Sequence, residues 1–328
     1  MNDMNDSLAE TGRPGEEGAM SANRRCNACG GQLVPSLDAV RDPQSLEAFD
    51  IQSCSSCGLG HTTPIPEDLG AYYGDAYYGK RHSFTDRYCL ARRMRILSGA
   101  TSRKGSLLDI GCGDGNFLAE AIAHGWEGMG TDIGGAAENA RKAGLDVHGS
   151  VDEVRARRAE HGKGAFDAVT MWHTLEHFPD PKGTLESARS VLANDGTLIV
   201  AVPDAAGLQA SLFKQSWFHL DVPRHLYHFN RSALESLLGR AGFTVRKWHH
   251  QELELDVFGW MQSALNAVLP KPNVLFQSLT GKPSHGGPAQ RALSYALGTA
   301  LAPAAVAATA VGTVPRRGAT LVAIARPR

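Results

Sequence analysis

Short apolar runs alternate with amphipathic stretches along the central part of the chain, between residues 106 and 249. Neighbouring parallel strands need a crossover connection, so this alternation predicts an α/β fold with a parallel sheet and helices on both faces. The predicted strands are 106–110, 126–131, 145–148, 166–171, 196–202 and 243–249, with a last strand at 318–325. The predicted helices are 83–99, 115–124, 134–143 and 230–241.

The segments outside this pattern differ in composition. The first 22 residues mix acidic residues with Gly, Ser and Pro and show no apolar periodicity, which is typical of a disordered segment. We therefore divide the chain into a disordered lead-in at 1–22, a cysteine module at 23–62, a linker with a connecting helix at 63–104, the core at 105–250, a helical insertion at 251–317, and the final strand with the tail at 318–328.

Composition excludes several classes of protein. Of the 328 residues 42% are hydrophobic, enough for a buried core and too many for a wholly disordered chain. Lys and Arg number 33 against 34 Asp and Glu, so the chain has no net attraction for a polyanion and nucleic-acid binding is disfavoured. Six cysteines are too few for a disulfide-built scaffold, and the polar N-terminus has no apolar signal core. We expect a cytoplasmic protein with reduced thiols.

Four cysteines form two copies of the pattern C-x-x-C-G, at Cys26 and Cys29 and at Cys54 and Cys57. Each pattern places two thiolates on one centre, and zinc prefers four such ligands in a tetrahedron. Metal bonding also replaces the hydrophobic core that a module of about 35 residues lacks. The spacing therefore predicts a structural zinc site, with a redox dithiol or four incidental cysteines as the alternatives.

A glycine-rich loop, L-L-D-I-G-C-G-D-G-N-F at 107–117, lies between a predicted strand and a predicted helix. Glycines let the backbone approach a ligand, and a helix N-terminus offers free N–H groups. Asp132 follows Gly111 by 21 residues at the end of the second strand, where it can accept hydrogen bonds from both hydroxyls of a ribose. This context indicates a nucleoside-containing cofactor, although a structural glycine turn is the alternative.

Two acids in this loop distinguish between cofactors. Asp109 lies two residues before the first glycine, and Asp114 lies between the second and the third. Carboxylates there would repel the pyrophosphate of a dinucleotide, which disfavours a nicotinamide-dependent oxidoreductase. They suit a cofactor with a cationic amine, a sulfonium and no phosphate, and S-adenosylmethionine has these properties.

The stretch 107–202 resembles the class I S-adenosylmethionine-dependent methyltransferases. The matching motifs are D-I-G-C-G-D-G at 109–115, G-T-D-I at 130–133, F-D-A-V-T-M-W-H-T-L-E-H at 166–177 and L-A-N-D-G-T-L-I-V-A-V-P at 192–203. The two C-x-x-C-G patterns and the segment W-F-H-L-D-V-P-R-H-L-Y-H-F at 217–229 are similar to a bacterial branch with an N-terminal zinc ribbon. The resemblance implies a doubly wound, Rossmann-like sheet of seven strands behind a zinc ribbon.

The resemblance also implies which residues hold the cofactor. Asp109 and the glycines of the loop would lie along its methionine part, Asp132 would bind ribose, and the residues after the third strand would edge the adenine. The predicted cofactor-binding residues are Asp109, Gly111, Cys112, Gly113, Gly115, Asp132, Ile133, Ser150, Val151 and His173.

Three histidines are the candidates for catalysis. His173 and His177 follow the fourth strand, beside the cofactor, and His225 lies in the 217–229 segment. A general base is needed only if the acceptor must lose a proton, and His177 could equally be a packed or capping residue. The same segment supplies the substrate candidates Asp221, Arg224 and His228, for which a structural hydrogen-bond cluster is the alternative.

The absence of one motif narrows the class of molecule that could accept the methyl group. After the fourth strand the chain reads M-W-H at 171–173, not the Asn/Asp-Pro-Pro-aromatic run that grips planar amines in DNA-base methyltransferases. We expect methyl transfer to an oxygen or carbon of a small-molecule, sugar or lipid-linked acceptor. The alternative is a catalytically inactive protein that binds a partner or RNA.

An insertion at 251–317 separates the last two predicted strands, which a short hairpin usually joins in this fold. It contains an uncharged, alanine-rich run at 292–314. We expect a helical lid or a homodimer contact, with peripheral contact to the inner face of a membrane as the alternative. Spanning is disfavoured, since Pro303 and hydroxyl residues interrupt the run and the final strand must return to the sheet.

Overall fold

The computed structural model describes residues 25–73, 83–313 and 316–328, so the predicted lead-in at 1–22 lies outside the described residues. Its strands are β1 (Leu33–Arg41), β2 (Ala48–Cys54), β3 (Gly60–Thr63), β4 (Ser106–Ile110), β5 (Glu127–Thr131), β6 (Val147–His148), β7 (Phe166–Trp172), β8 (Leu192–Pro203), β9 (Tyr227–His228), β10 (Phe243–His249) and β11 (Thr320–Pro327). Its α-helices are α1 (Ser83–Ala100), α2 (Asn116–Ala123), α3 (Gly134–Lys142), α4 (Val151–Glu160), α5 (Pro181–Val191), α6 (Leu208–Phe213), α7 (Arg231–Arg240), α8 (Leu253–Val268), α9 (Val274–Thr280) and α10 (Pro288–Thr313).

Seven strands form the central sheet in the order β10-β11-β8-β7-β4-β5-β6. Neighbours from β8 to β6 are parallel, which confirms the α/β fold predicted from the alternation. The sheet is mixed, because β11 runs antiparallel to both β8 and β10. The last strand therefore inserts between two strands that precede it in the chain, and the insertion at 251–317 lies between β10 and β11.

Successive residues along the central strands point to opposite faces of the sheet, and each face has its own core. On one face Leu108, Val169 and Leu198 pack with apolar residues of α4, α5 and α7. On the other face Leu107 and Ile199 pack with residues of α1 and α2. Burial on both faces explains why these strands read as continuous apolar runs in the sequence.

The cysteine module is built on the core and does not stand apart from it. Its strands β1, β2 and β3 form an antiparallel sheet whose fourth strand is β9, from the 217–229 segment. Gly60 pairs with His228 and His61 with Tyr227. The buried cysteines belong to the same apolar cluster as α7, so the module and the core share one interior.

A buried ion pair adds to this interface. Arg224 is 1% exposed, and its guanidinium lies 2.7 Å from a carboxylate oxygen of Asp42 in the turn between β1 and β2. The same guanidinium contacts Asp221, also at 2.7 Å. Because both partners of the Asp42 pair are fully buried, losing one leaves a charge in the interior with reduced compensation.

The insertion folds as helices α8, α9 and α10, in agreement with the expected helical segment. Helix α10 packs on α8 and α9, and Gln277 of α9 donates a buried hydrogen bond of 2.9 Å to the carbonyl of Pro43 in the cysteine module. Among the described helices, one stretch, Pro288–Gly312, is long and apolar enough to cross a membrane, and most of its residues are not buried. Its exposed apolar side chains include Leu293, Val306 and Val311.

We predict that Asp42→Ala lowers the free energy of unfolding by about 3 kcal/mol, the lower end for breaking a buried pair, because Asp221 still contacts Arg224. Urea denaturation followed by circular dichroism measures this change. The control, Glu186→Ala, removes the exposed pair between Lys182 and Glu186 and should cost less than about 1 kcal/mol. Equal costs for the two variants would contradict the structural role of the buried pair.

Candidate functional site

The glycine loop turns sharply between β4 and α2, as its sequence context predicts. The N–H groups of Gly111 and Cys112 donate to the carbonyl of Thr131 at 2.7 and 3.0 Å, so the loop is tied to the end of β5. Gly111 has φ +72°, and a Cβ there would run into the side chain of Thr174. The position therefore requires glycine, both for its backbone conformation and for the close approach of the turn that follows β7.

Asp109 lies at the base of the loop and is 2% exposed. It accepts a hydrogen bond of 2.6 Å from the hydroxyl of Thr170 on the neighbouring strand β7. Burial raises the pKa of this carboxyl to about 7, against the opposing effects of the Thr170 hydrogen bond and the Arg93 charge. A carboxyl held in this way gains from a cationic ligand, because a positive charge beside it favours its ionised form.

Asp132 lies at the end of β5, as predicted. Its carboxylate accepts hydrogen bonds of 2.7 Å from the backbone N–H groups of Gly113 and Ile133. Burial raises its pKa from the ordinary value. Each carboxylate oxygen retains a further lone pair, so Asp132 can still accept hydrogen bonds from ribose hydroxyls.

The other predicted cofactor residues differ in their contacts. Ile133 is 73% exposed, so its side chain is available to cover a ligand. The hydroxyl of Ser150 caps α4 by accepting from the N–H of Glu153 at 3.2 Å, and Val151 is the first residue of that helix. Buried Cys112 packs with α2 and α3 residues.

His173 follows β7 with a left-handed backbone, φ +55°, which is uncommon outside glycine. Its imidazole lies between two fully buried carboxylates: Nε2 is hydrogen-bonded to Glu252, and Nδ1 lies 3.7 Å from Glu176. Burial acts to lower its pKa, but the Glu252 and Glu176 carboxylates outweigh burial and raise the pKa to about 9. Glu252 also contacts Arg92 of α1 at 2.7 Å, so the insertion, α1 and His173 meet in one ion-pair network.

His177 and His225 lie together, with ring centroids 4.7 Å apart. Nδ1 of His177 lies 3.0 Å from the carbonyl of Arg224 and 2.8 Å from the hydroxyl of Tyr73. Nδ1 of His225 lies 2.9 Å from the carbonyl of His219. Burial, with help from His225, lowers the pKa of His177 to about 4, so its imidazole is neutral at pH 7.

The substrate candidates Asp221, Arg224 and His228 contact other parts of the chain. Arg224 pairs with Asp221 and Asp42, and Nε2 of His228 lies 3.0 Å from the Thr62 hydroxyl of β3. Burial, together with the neighbouring His225 and His61, lowers the pKa of His228 to about 3. These contacts hold the 217–229 segment against the cysteine module.

Several residues of the site were missed by the sequence analysis. Tyr73 and Glu252 belong to no motif quoted above, and Glu252 reaches His173 from 79 residues further along the chain. Thr170 lies within the motif at 166–177, but the sequence does not show its hydrogen bond to the loop. Glu176 lies within the quoted L-E-H motif, but nothing in the sequence shows that its side chain is fully buried.

The four predicted zinc ligands come together in the cysteine module. Their sulfur atoms all lie within 4.8 Å of one another, with Cys26 and Cys57 3.5 Å apart and Cys29 and Cys54 3.4 Å apart. The C-x-x-C turns precede Gly30 and Gly58, both with positive φ. Four clustered thiolates match the tetrahedral ligand set of a structural zinc ion and leave no position for a substrate.

We predict that Asp109→Asn stabilises the protein at pH 8 but not at pH 4. The native carboxyl holds its proton up to about pH 7, whereas in the unfolded chain it ionises near its ordinary value of 3.8. Stability therefore falls as the pH rises between these values, and the uncharged amide avoids a cost of up to about 4 kcal/mol. Urea denaturation at both pH values measures the difference; with exposed Asp152→Asn as the control, a gain independent of pH would refute this account.

We predict that Cys54→Ser weakens the thiolate-to-cobalt charge-transfer band of the Co²⁺-substituted protein and lowers both its affinity for the ion and its free energy of unfolding. Three remaining thiolates hold the ion less tightly, and the module loses part of the bonding that closes its two turns. Cys89→Ser, in α1 and outside the cluster, should keep the band at its full intensity. A band of unchanged intensity and an unchanged affinity in Cys54→Ser would contradict the four-cysteine site.

Comparison with known proteins agrees with this geometry. A family model described as a methyltransferase domain matches residues 81–247. Ubiquinone biosynthesis O-methyltransferase from Methylococcus capsulatus is 34% identical over 114 residues, 32% of this chain and 47% of that protein. The enzyme of the same name from Caulobacter sp. is 36% identical over 128 residues, 37% of this chain and 50% of that protein. The chain thus spans about half the length of the curated relatives it matches.

Among solved structures, a SAM-dependent methyltransferase from Archaeoglobus fulgidus has 17% identity and a TM-score of 0.47, with 79% of this chain and 100% of that chain covered. A sarcosine dimethylglycine methyltransferase from Galdieria sulphuraria, itself described as putative, has 13% identity and a TM-score of 0.45, with 78% and 97% covered. The family model covers slightly more than half of the 328 residues, and the loop and sheet order agree with it. This chain belongs to the class I S-adenosylmethionine-dependent methyltransferases.

Proposed function

We propose that this protein transfers a methyl group from S-adenosylmethionine to a hydroxyl oxygen of a small-molecule acceptor. The proposal rests on one observation: a single turn after β7 connects the glycine loop to the pair formed by His177 and His225. In that turn Thr174 abuts Gly111, and its hydroxyl donates to the carbonyl of Ile110 at 3.2 Å. His177 follows three residues later, so an acceptor beside it is also beside the loop.

The donor side uses Asp109 of the glycine loop and Asp132 at the end of β5. When bound, S-adenosylmethionine supplies a methyl group carried on a positively charged sulfur. Asp132 would accept hydrogen bonds from its ribose hydroxyls, and Ile133 would cover the adenine side. Asp109 would lie near the cationic methionine part and compensate its charge from below the loop.

On the acceptor side of the site, the three predicted catalytic histidines have two different roles. His177 and His225 each have Nδ1 beside a backbone carbonyl, which can only accept, so Nδ1 carries the hydrogen and Nε2 presents a lone pair. We assign this pair to assisting loss of the proton from the acceptor hydroxyl. His173 lies between Glu176 and Glu252 and is a positioning residue that anchors the turn after β7.

The choice of an oxygen acceptor is supported by the relatives, which are named O-methyltransferases. We extend the acceptor class to lipid-linked molecules because α10 exposes Leu293, Val306 and Val311 within its uncharged run. Contact of Asp221, Arg224 and His228 with the acceptor stays a prediction, since their observed partners lie within the chain.

We predict that the protein transfers labelled methyl groups from S-adenosylmethionine to components of a cell extract. The extract is divided into soluble and membrane fractions, and labelled products are separated by solubility and by resistance to alkaline hydrolysis, which an ether survives and an ester does not. Asp132→Ala should reduce transfer by at least about 100-fold, because two hydrogen bonds to a ligand in a buried site contribute about 3 kcal/mol. His225→Asn should reduce kcat more than cofactor affinity.

Glu138→Ala, on the exposed face of α3, is the matched control and should transfer at the wild-type rate. Calorimetric titration with S-adenosylhomocysteine distinguishes loss of binding from loss of chemistry in each variant. Binding without transfer to either fraction would indicate the inactive binding protein, and an absence of binding would contradict the cofactor assignment.

A further inference from the structure

A second group of metal-ligating side chains lies outside the cysteine module. One ligand atom from each of Glu176, His177 and His225 lies within 4.8 Å of the ligand atoms of the other two. Two histidines and one carboxylate form a recurrent ligand set for divalent transition metals, and this set leaves coordination positions open.

Both imidazoles are oriented as metal ligands usually are. In metal sites the ring nitrogen that does not bind the ion commonly donates to a backbone carbonyl or a carboxylate, which fixes the tautomer and the ring plane. Nδ1 of His177 lies 3.0 Å from the carbonyl of Arg224, and Nδ1 of His225 lies 2.9 Å from the carbonyl of His219. Nε2 of each ring is therefore left with its lone pair.

Glu176 supplies the third ligand, and the described part of the chain does not satisfy its carboxylate. It is fully buried, and neither of its carboxylate oxygens has a hydrogen-bond partner there. Its nearest cationic or titratable neighbours are Nδ1 of His173 at 3.7 Å and Nε2 of His225 at 3.9 Å. A buried carboxylate without hydrogen bonds is costly, and a coordinated cation would satisfy it.

The local charges distinguish this group from another one near it. Cys89, Glu252 and Glu254 also lie within 4.8 Å of one another. There, however, Arg92 and Arg93 already contact Glu252, so a further cation would meet two guanidinium charges. Around Glu176 the additional positive charge is His173, which Glu252 compensates.

We propose that Glu176, His177 and His225 form a second metal site, for a divalent transition metal, beside the cofactor loop. The ligand set does not depend on the proposed reaction. The role of the ion does rest on the proposed function: its open positions would take oxygen atoms of the acceptor and lower the pKa of the hydroxyl to be methylated. The histidines would then assist loss of the proton as ligands and not as bases, and acceptors with two adjacent oxygens would be favoured.

The site is tested by metal stoichiometry in the full chain, without cofactor or acceptor. Metal-free protein reloaded with Co²⁺ should bind two ions per chain, and Glu176→Gln and His225→Asn should each bind one. The thiolate-to-cobalt band of the cysteine site reports in the same sample that the variants are folded. His161→Asn is the matched control, because Nδ1 of His161 also contacts a backbone carbonyl, at 2.9 Å, but His161 belongs to no metal-ligating group among the described residues. This variant should bind two ions.

X-ray absorption spectroscopy of the wild-type protein loaded with zinc is a second test of the site, and it needs no variant. Two sites should show sulfur neighbours at about 2.3 Å together with nitrogen and oxygen neighbours at about 2.0–2.1 Å. One ion per chain in a sulfur-only environment, or a second ion that survives in both Glu176→Gln and His225→Asn, overturns the proposal. Either result leaves methyl transfer to be judged by its own assay, so the two proposals can fail separately.

Discussion

Two residues of β3 pair with two residues of β9, and this short antiparallel ladder joins the cysteine module to the methyltransferase core. The ladder is extended by Thr62, whose N–H donates to the carbonyl of Leu226 at 3.0 Å and whose hydroxyl donates to the carbonyl of His225 at 2.6 Å. The backbone of His225 is therefore held by the module that the four cysteines close. An ion bound by those thiolates would therefore stabilise the position of His225 from a distance, without contacting it.

Buried charge is the second constraint on the site. Asp109, Glu176 and Glu252 are each at most 2% exposed, and all three lie around the turn between β7 and the short helix at Leu175–His177. Removing carboxylates from water is costly unless cations or hydrogen bonds compensate them. Arg92, Arg93 and His173 compensate Glu252, whereas Asp109 relies on one hydroxyl and on the distant Arg93 charge. Asp109 is thus the carboxyl whose ionisation a cationic ligand nearby would favour most.

Much of this architecture could be predicted from the sequence, because it depends on local patterns. The strand predicted at 243–249 coincides with β10, and the glycine loop lies between β4 and α2 as expected. The pairing of β9 could not be predicted, because two residues have no periodicity and their partners lie more than 160 positions earlier. Glu252 was missed for the same reason: an isolated acid before a helix looks like an ordinary exposed residue until the fold places it against His173. Long-range contacts between polar side chains do not affect the hydrophobic pattern of the sequence, so that pattern cannot predict them.

The position of β11 has a consequence for how the protein folds during synthesis. This strand fills the space between β8 and β10, yet it is the last strand in chain order. Until the ribosome has released it, β8 presents an unpaired inner edge, and β10 has no neighbour on which to form its ladder. Completion of the sheet must then wait until β11 has been translated, after every other strand of that sheet, so a nascent chain depends on protection of that edge from pairing with other strands.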